Sequence, residues 1–305
     1  MKTQLLSLLI LASCASPKVQ EKGAPVQSYE SDANGFNTKS FFYDTGKEVV
    51  VFDTQFTEKF AEESIKLIQS RTKSPIKYVI ITHPNPDKFN GMSVFQKLGA
   101  KVIASNLTAQ SMPEVHGYKK YFFVNMAKMF TEETYPVLSK PDIIFSSFYS
   151  LPLSNGEKID LVEMGQAGVS SNQTVAHIPS KNVLVVGDLV HYKAHAWLEG
   201  GIVKGTPKPD ITSWINLLKQ VESEFPAGTM VYGGRGESAP IGEAVKSQIE
   251  YLKQLDSIVT KQVKLAGKGE RQYEVIQGLA EKAYPDYKHG YMIKYGVYGL
   301  VNSKK

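Results

Sequence analysis

The chain has 305 residues, of which 42% are hydrophobic, and carries 35 Lys and Arg against 30 Asp and Glu for a formal net charge of +5. That apolar share is ordinary for a chain with a well-buried core. The charges are mixed along the sequence without the basic blocks of a nucleic-acid footprint, so no nucleic-acid partner is expected.

The chain opens with a weakly basic start, Met1-Lys2-Thr3-Gln4, followed by the apolar run Leu5 to Ala12. The run has the length of a secretory signal and is too short to span a bilayer as a helix. Leu11-Ala12-Ser13-Cys14 resembles the lipobox of bacterial lipoprotein precursors. That resemblance implies that residues 1–13 are removed as a signal peptide and that Cys14 is acylated, anchoring the mature protein to a membrane. Ala15 resembles precursors sorted to an outer membrane, which would hold the domain outside the cytoplasm. Cys14 is the only cysteine, so the acylated chain has no thiol left for a disulfide or a metal. Residues 14–36 therefore read as the lipidated Cys and a flexible tether, polar and without periodicity. At ~3.3 Å per residue its polar stretch from Ser16 to about Gly35 reaches up to roughly 60 Å. Residues 37–305 read as one domain, since no second linker interrupts the pattern.

Two strand-like runs, Ser40 to Tyr43 and Glu48 to Phe52, flank a turn at Asp44-Thr45-Gly46. Phe60, Ile65, Leu67 and Ile68 fall on one face of a helix from about Thr57 to Ser70, with Thr57 as its N-cap. A strand over 77–82, a polar loop, a helix from about Gly91 through Leu98 and a strand over 101–104 follow. Gly117 to Phe148 is rich in aromatics and reads as a wall of core and rim rings. Strands then come at 158–162, 174–178 and 183–186, with Pro179 to Asn182 turning between the last two. The spacing of Trp214, Ile215, Leu217, Leu218 and Val221 predicts a helix. Met230-Val231-Tyr232 is a last strand, and helices follow at about 241–265 and 270–284. Strands alternating with helices imply sheets covered by helices.

The loop Thr82-His83-Pro84-Asn85-Pro86-Asp87-Lys88-Phe89-Asn90-Gly91 is similar to the Thr-His-x-His-x-Asp-His-x-x-Gly loop of the metallo-β-lactamase fold superfamily. Three further stretches match in the family's order: Val51-Phe52-Asp53-Thr54, Val185-Val186-Gly187-Asp188-Leu189 and Val231-Tyr232-Gly233-Gly234-Arg235-Gly236. Trp214 with its helix and the carboxy-terminal helix pair also resemble the family. The resemblance covers almost all of the chain after the tether and implies a four-layer αββα sandwich with carboxy-terminal helices.

Carried over position by position, the family's metal ligands become His83, Asp87 and Asp188, which keep usable donors, and Asn85, Lys88, Val169 and Arg235, which replace imidazoles. Zinc takes nitrogen, thiolate or carboxylate donors, usually four of them. Val offers none, and charged Lys and Arg only donate hydrogen bonds. The expected state is thus a degenerate centre with no resident cofactor, the alternative being zinc or another divalent metal on an altered ligand set. In relatives the metals neutralise the carboxylates. Here Lys88 and Arg235 are expected either to face Asp87 and Asp188 in their place or to point into solvent. His191 and His195, in the loop after Asp188, could rebuild a site with His83 and Asp188 or line the cleft.

The resemblance therefore points to a membrane-anchored, non-hydrolytic domain whose cleft, with Asn85, Lys88, Arg235, His191 and His195 as binding residues, takes a small anionic molecule or an unknown protein. A metal-dependent hydrolase with altered ligands and a purely structural lipoprotein are the competing readings. No Gly-x-Ser-x-Gly elbow, phosphate loop or cysteine nucleophile supports other chemistry.

Overall fold

The computed structural model describes residues 24–165, 168, 170 and 172–304. The expectations for the signal peptide, for Cys14 and for Val169 fall outside the described residues. Two six-stranded sheets form the middle of the molecule. The first holds β1 (Gln27–Glu30), β2 (Lys39–Asp44), β3 (Val49–Phe52), β4 (Ile76–Ile80), β5 (Lys101–Ser105) and β6 (Ile143–Phe145) in sequence order, antiparallel up to β3 and parallel from β3 onward. Its crossovers carry α1 (Glu58–Arg71), the single turn α2 (Pro86–Phe89), α3 (Met92–Lys97) and α4 (Asn106–Tyr121).

The second sheet contains β7 (Phe148–Pro152), β8 (Lys158–Glu163), β9 (Thr174–Ile178) and β10 (Val183–Gly187), in antiparallel sequence. A small hairpin of β11 (Gly201–Val203) and β12 (Thr206–Lys208) leads into α5 (Ile211–Glu224). Strand β13 (Met230–Gly233) then pairs in parallel with β10, and β14 (Ala239–Pro240) closes the edge. Helices α6 (Ile241–Ala266), α7 (Glu270–Ala283), α8 (Tyr291–Gly296) and α9 (Tyr298–Ser303) end the chain.

Side chains alternate along each strand, so a strand buried on both faces feeds two cores. Val50 and Phe52 of β3 join Ile80, Ile103, Leu161 and Val185 between the sheets. Val49 and Val51 point the other way, onto Ala61, Ile65 and Ile68 of α1 and Phe95 of α3. In β10, Val183 and Val185 face the first sheet, while Leu184 and Val186 meet Trp214, Leu218, Leu252 and Leu255 of α5 and α6. Three cores between four layers make the αββα sandwich. Thr57 caps α1 by accepting from the Phe60 amide, and α1, α5, α6 and α7 fall at the predicted positions.

One expectation needs correction, and one helix was not foreseen. The tether does not extend to residue 36, because β1 pairs with β2 and Val26 and Tyr29 are fully buried. One apolar side chain on the edge strand and one just before it suffice for this without leaving a visible period. The stretch after Ser105 is a full helix, α4, followed by a wide turn over Phe122–Met126. Pro113 inside α4 and its few buried side chains, Thr108, Met112, Val115 and Lys119, hide the helical period.

Candidate functional site

The site lies where β4 and β10, of different sheets, and β13 end. Parallel strands leave their carboxyl ends open to loops, the usual place for a site in such sheets. The loop after β4 supplies His83, Asp87 and Lys88, the end of β10 supplies Asp188, and the turn after β13 supplies Arg235. Asp53, at the end of β3, braces the loop by accepting from the Thr82 amide at 2.9 Å and from the Thr82 hydroxyl. Burial pushes the Asp53 carboxyl up to about 7, against the pull of Lys88 and of the Thr82 hydrogen bonds.

Four charges meet in a closed set. Lys88 Nζ lies 2.8 Å from Asp188 Oδ1 and 3.0 Å from Asp87 Oδ2. Arg235 Nη1 donates to Asp188 Oδ2 at 2.5 Å, and its Nη2 donates to Asp87 Oδ2 at 2.9 Å. The same Nη2 reaches the Thr38 hydroxyl, which itself donates to Asp87, and Arg235 Nε donates to the Phe36 carbonyl. Lys88 is wholly buried and Arg235 and Asp188 nearly so. Burial works against each charge, but the opposite charges outweigh it. Arg235 and Lys88 hold Asp188 well below the usual carboxylate range, Lys88 and Arg235 bring Asp87 to about 2, and the two carboxylates raise Lys88 and Arg235. Gly234 makes the approach possible, since a Cβ there would sit 2.0 Å from Asp188 Oδ1 and 2.8 Å from Lys88 Nζ.

Two imidazoles border this set. His83 Nε2 is 3.8 Å from Asp188 Oδ2, with its Nδ1 beside the Thr82 hydroxyl at 3.0 Å. His191 Nε2 is 4.0 Å from Asp188 Oδ1, and neither of its ring nitrogens has a hydrogen-bond partner. Burial lowers His83 to about 4 and His191 to about 3, so both are neutral. His195 is not part of the site. The backbone turns between the two residues, and His195 packs on Tyr251 and Tyr287 with its Nδ1 3.2 Å from the Tyr251 hydroxyl. Asn85 is the residue before α2, makes no side-chain cap, and lines the cleft.

The family's metal does not fit these side chains. His83 Nε2 and His191 Nε2 are free to coordinate, and both border Asp188. Yet both Asp188 oxygens and the inner oxygen of Asp87 are already held by an ammonium or a guanidinium at ion-pair distance. A divalent ion would have to enter beside two fixed positive charges. Among the described residues, no group of three or more His, Cys, Asp or Glu side chains is placed to hold a metal ion.

The cleft in front of the set is lined by Asn85, Pro86, Asp87, Asp188 and Arg235 together with Phe36, Phe56, Lys119, Phe123, Trp197 and Met292. It encloses about 380 Å³ counting its open mouth, yet water molecules could centre in only about 30 Å³ of it. The cleft is narrow because aromatic rings crowd it, with Phe36 5.0 Å from Phe56 and 6.0 Å from Trp197 between centroids. Lys119 is also paired: its ammonium meets Glu199 and lies 5.0 Å from the Trp197 ring. Every cation lining the cleft or lying behind it in the charge set is therefore matched. An anion between Lys88 and Arg235 would find both cations already paired with Asp87 and Asp188.

Sequence reasoning brought His83, Asp87, Lys88, Asp188, Arg235 and His191 together as the structure does. It missed Thr38, Phe36, Lys119 and Glu199, which reach the site from distant segments and carry no local motif. A Lys in an aromatic run, Tyr118-Lys119-Lys120-Tyr121-Phe122-Phe123, was the one available signal.

A family model described as Metallo-beta-lactamase superfamily matches residues 33–234. The metallo-beta-lactamase type 2 of Bacillus cereus is 30% identical over 76 residues, which are 25% of this chain and 29% of that protein. That of Bacillus sp. (strain 170) is 28% identical over 76 residues, with the same shares. The chain thus spans 29% of the length of these curated relatives. Among solved structures, a metallo-beta-lactamase from Pontibacter korlensis superposes with a TM-score of 0.60 at 19% identity, covering 78% of this chain and 99% of that one. The structure of TMB-1 gives 0.56 at 19% identity, covering 79% and 98%. Likeness at such identity concerns the fold alone, but the family model spans most of both sheets and all four motif stretches up to Gly234. The chain belongs to the metallo-β-lactamase superfamily.

Proposed function

We propose that this is a non-hydrolytic, metal-independent member of the superfamily, held at a membrane through Cys14, whose narrow cleft serves binding. One observation carries the reading: Lys88 and Arg235 occupy the carboxylate oxygens of Asp87 and Asp188 on which the family's ions depend. Two fixed cations against two carboxylates leave the set neutral without a metal. A hydrolytic mechanism in this fold needs a metal-bound water made acidic enough to ionise near neutral pH. A lysine ammonium cannot coordinate water in that way. The lactam chemistry in the names of the relatives is not carried over, since those matches cover a quarter of the chain.

Metal analysis of protein purified without chelator tests the reading. The expected result is far less than one zinc, iron or manganese per chain and a melting temperature unmoved by EDTA. The competing reading, a hydrolase with an altered ligand set, draws on the unpaired Nε2 atoms of His83 and His191 near Asp188. One bound metal per chain, lost together with turnover of an ester or lactam in His83→Ala, would establish it instead.

A further inference from the structure

The segment after α4 builds a fourth apolar cluster apart from the three layer cores. Phe56, Phe123 and Tyr135 are buried in it, and Phe36, Phe122 and Phe130 pack against them. On its outside, at the two ends of the wide turn, Tyr121 and Met126 are 63% and 65% exposed. Large apolar groups grouped in this way on an outgrowth mark an interaction surface more often than a chance exposure. Lys120 pairs with Glu132 at 2.8 Å, and the segment's other exposed charges, Lys128 and Glu133, are one of each sign. The outgrowth is therefore close to neutral.

The path of the chain says which partner this surface meets. Phe36 lies 5.7 Å from Phe123 between ring centroids, so the outgrowth sits beside the amino-terminal segment. That segment leads back through β1 to Gln27, and the stretch from Cys14 to Gln27 reaches at most roughly 45 Å. An anchor at Cys14 keeps the outgrowth within reach of the lipid. We propose that Tyr121 and Met126, over their aromatic cluster, form a lipid-facing surface that seats the domain on the bilayer by shallow insertion. A Tyr ring suits the headgroup level, and a Met side chain adapts to the acyl boundary. The balance of Lys and Glu makes the attachment one of insertion rather than of charge. Insertion of two side chains is weak by itself, and a tether raises the effective concentration of the surface at the lipid. The inference rests on the lipid-anchored part of the proposed function, but its test needs no anchor.

Residues 24–305 contain all three cores and can be produced without the lipid. Titrated with a large excess of lipid to offset the missing tether, this chain is expected to sediment with phosphatidylcholine vesicles, and almost equally with vesicles containing phosphatidylglycerol, with little effect of salt. The double variant Tyr121→Ser, Met126→Ser should bind about tenfold more weakly, while Phe148→Ser, exposed on β7, should bind as before. Circular dichroism of each variant shows whether the fold is kept. Absence of vesicle binding overturns the proposal, as does binding confined to anionic vesicles and abolished by salt, or equal loss in the Phe148 control. If vesicles are ignored while the double variant loses capture of an envelope protein, the surface is a protein interface and the lipid proposal fails. Labelled palmitate on the full chain tests Cys14 separately, so failure of the anchor and failure of the surface are distinct.

Discussion

Lys88 Nζ and Asp188 Oδ1 are 2.8 Å apart, and neither side chain has appreciable contact with solvent. Asp87 and Arg235 complete the set, so removing any member leaves a buried charge without its partner. Such a loss costs about 3–5 kcal/mol, whereas replacing a whole pair by apolar groups of similar size is often neutral. Lys88→Met should therefore lower stability by about that amount in urea unfolding. Adding Asp188→Asn to it should restore part of the loss, giving a coupling of opposite sign in the double-mutant cycle. Additive losses would mean that the two charges do not support each other.

Arg235 ties three segments together through Asp87, Asp188, Thr38 and the Phe36 carbonyl. Arg235→Ala should destabilise at least as much as Lys88→Met. It should also speed hydrogen exchange at the Lys39 amide, which donates to the Gly234 carbonyl. Arg235→Lys should recover little, because an ammonium cannot reproduce the fork of a guanidinium.

Gly234→Ala tests the packing of the set directly. Its Cβ would overlap Asp188 Oδ1 at 2.0 Å, and the neighbours are buried on all sides. The expected outcome is a loss of several kcal/mol in urea unfolding, within the range for overpacking and for broken ion pairs. A change below about 0.5 kcal/mol, the size usual at permissive surface positions, would show that the set is looser than described.

The pH dependence has two opposing parts. His83, His191 and His195 are held neutral by burial, at about 4, 3 and 4. The unfolded chain takes up these protons from about pH 6.5 downward, well before the fold does. Their contribution is fully present above about pH 6.5 and is lost as pH falls toward 4. Asp53 acts in reverse: its folded value near 7 exceeds the ordinary 3.8, so it contributes below pH 4 and loses that contribution as pH rises through 7. Urea midpoints measured from pH 4 to 8 should fall less steeply on acidification in His191→Asn than in the wild type. In Asp53→Asn they should fall more steeply.

The fold was legible because its signals are local. Strands such as Val49–Phe52 and Val183–Gly187 are unbroken apolar runs, and Thr57 is an N-cap followed by a helical period. The loop after β4, the Val185–Leu189 stretch and the Gly233–Gly236 turn placed five members of the site, His83, Asp87, Lys88, Asp188 and Arg235, by resemblance to known motifs. What remained hidden depends on distant partners. Thr38 meets Arg235 across nearly two hundred positions, and Lys119 is buried only because Glu199 arrives to pair with it. Helix α4 was concealed by Pro113 and a mostly wet surface. Strand β1 was concealed by its shortness, since pairing with β2 rather than its own composition holds it in place.

The hydrogen bonds from Arg235 to Phe36 and Thr38 also carry a mechanical consequence. The amino-terminal strand and the turn after it are fastened to the centre of the molecule by a guanidinium rather than by packing alone. A pull on the amino terminus that peeled β1 away from β2 would next be met at Phe36 and Thr38, where the guanidinium holds the chain. Where relatives grip ions, this protein places the bolt that secures its own leading end.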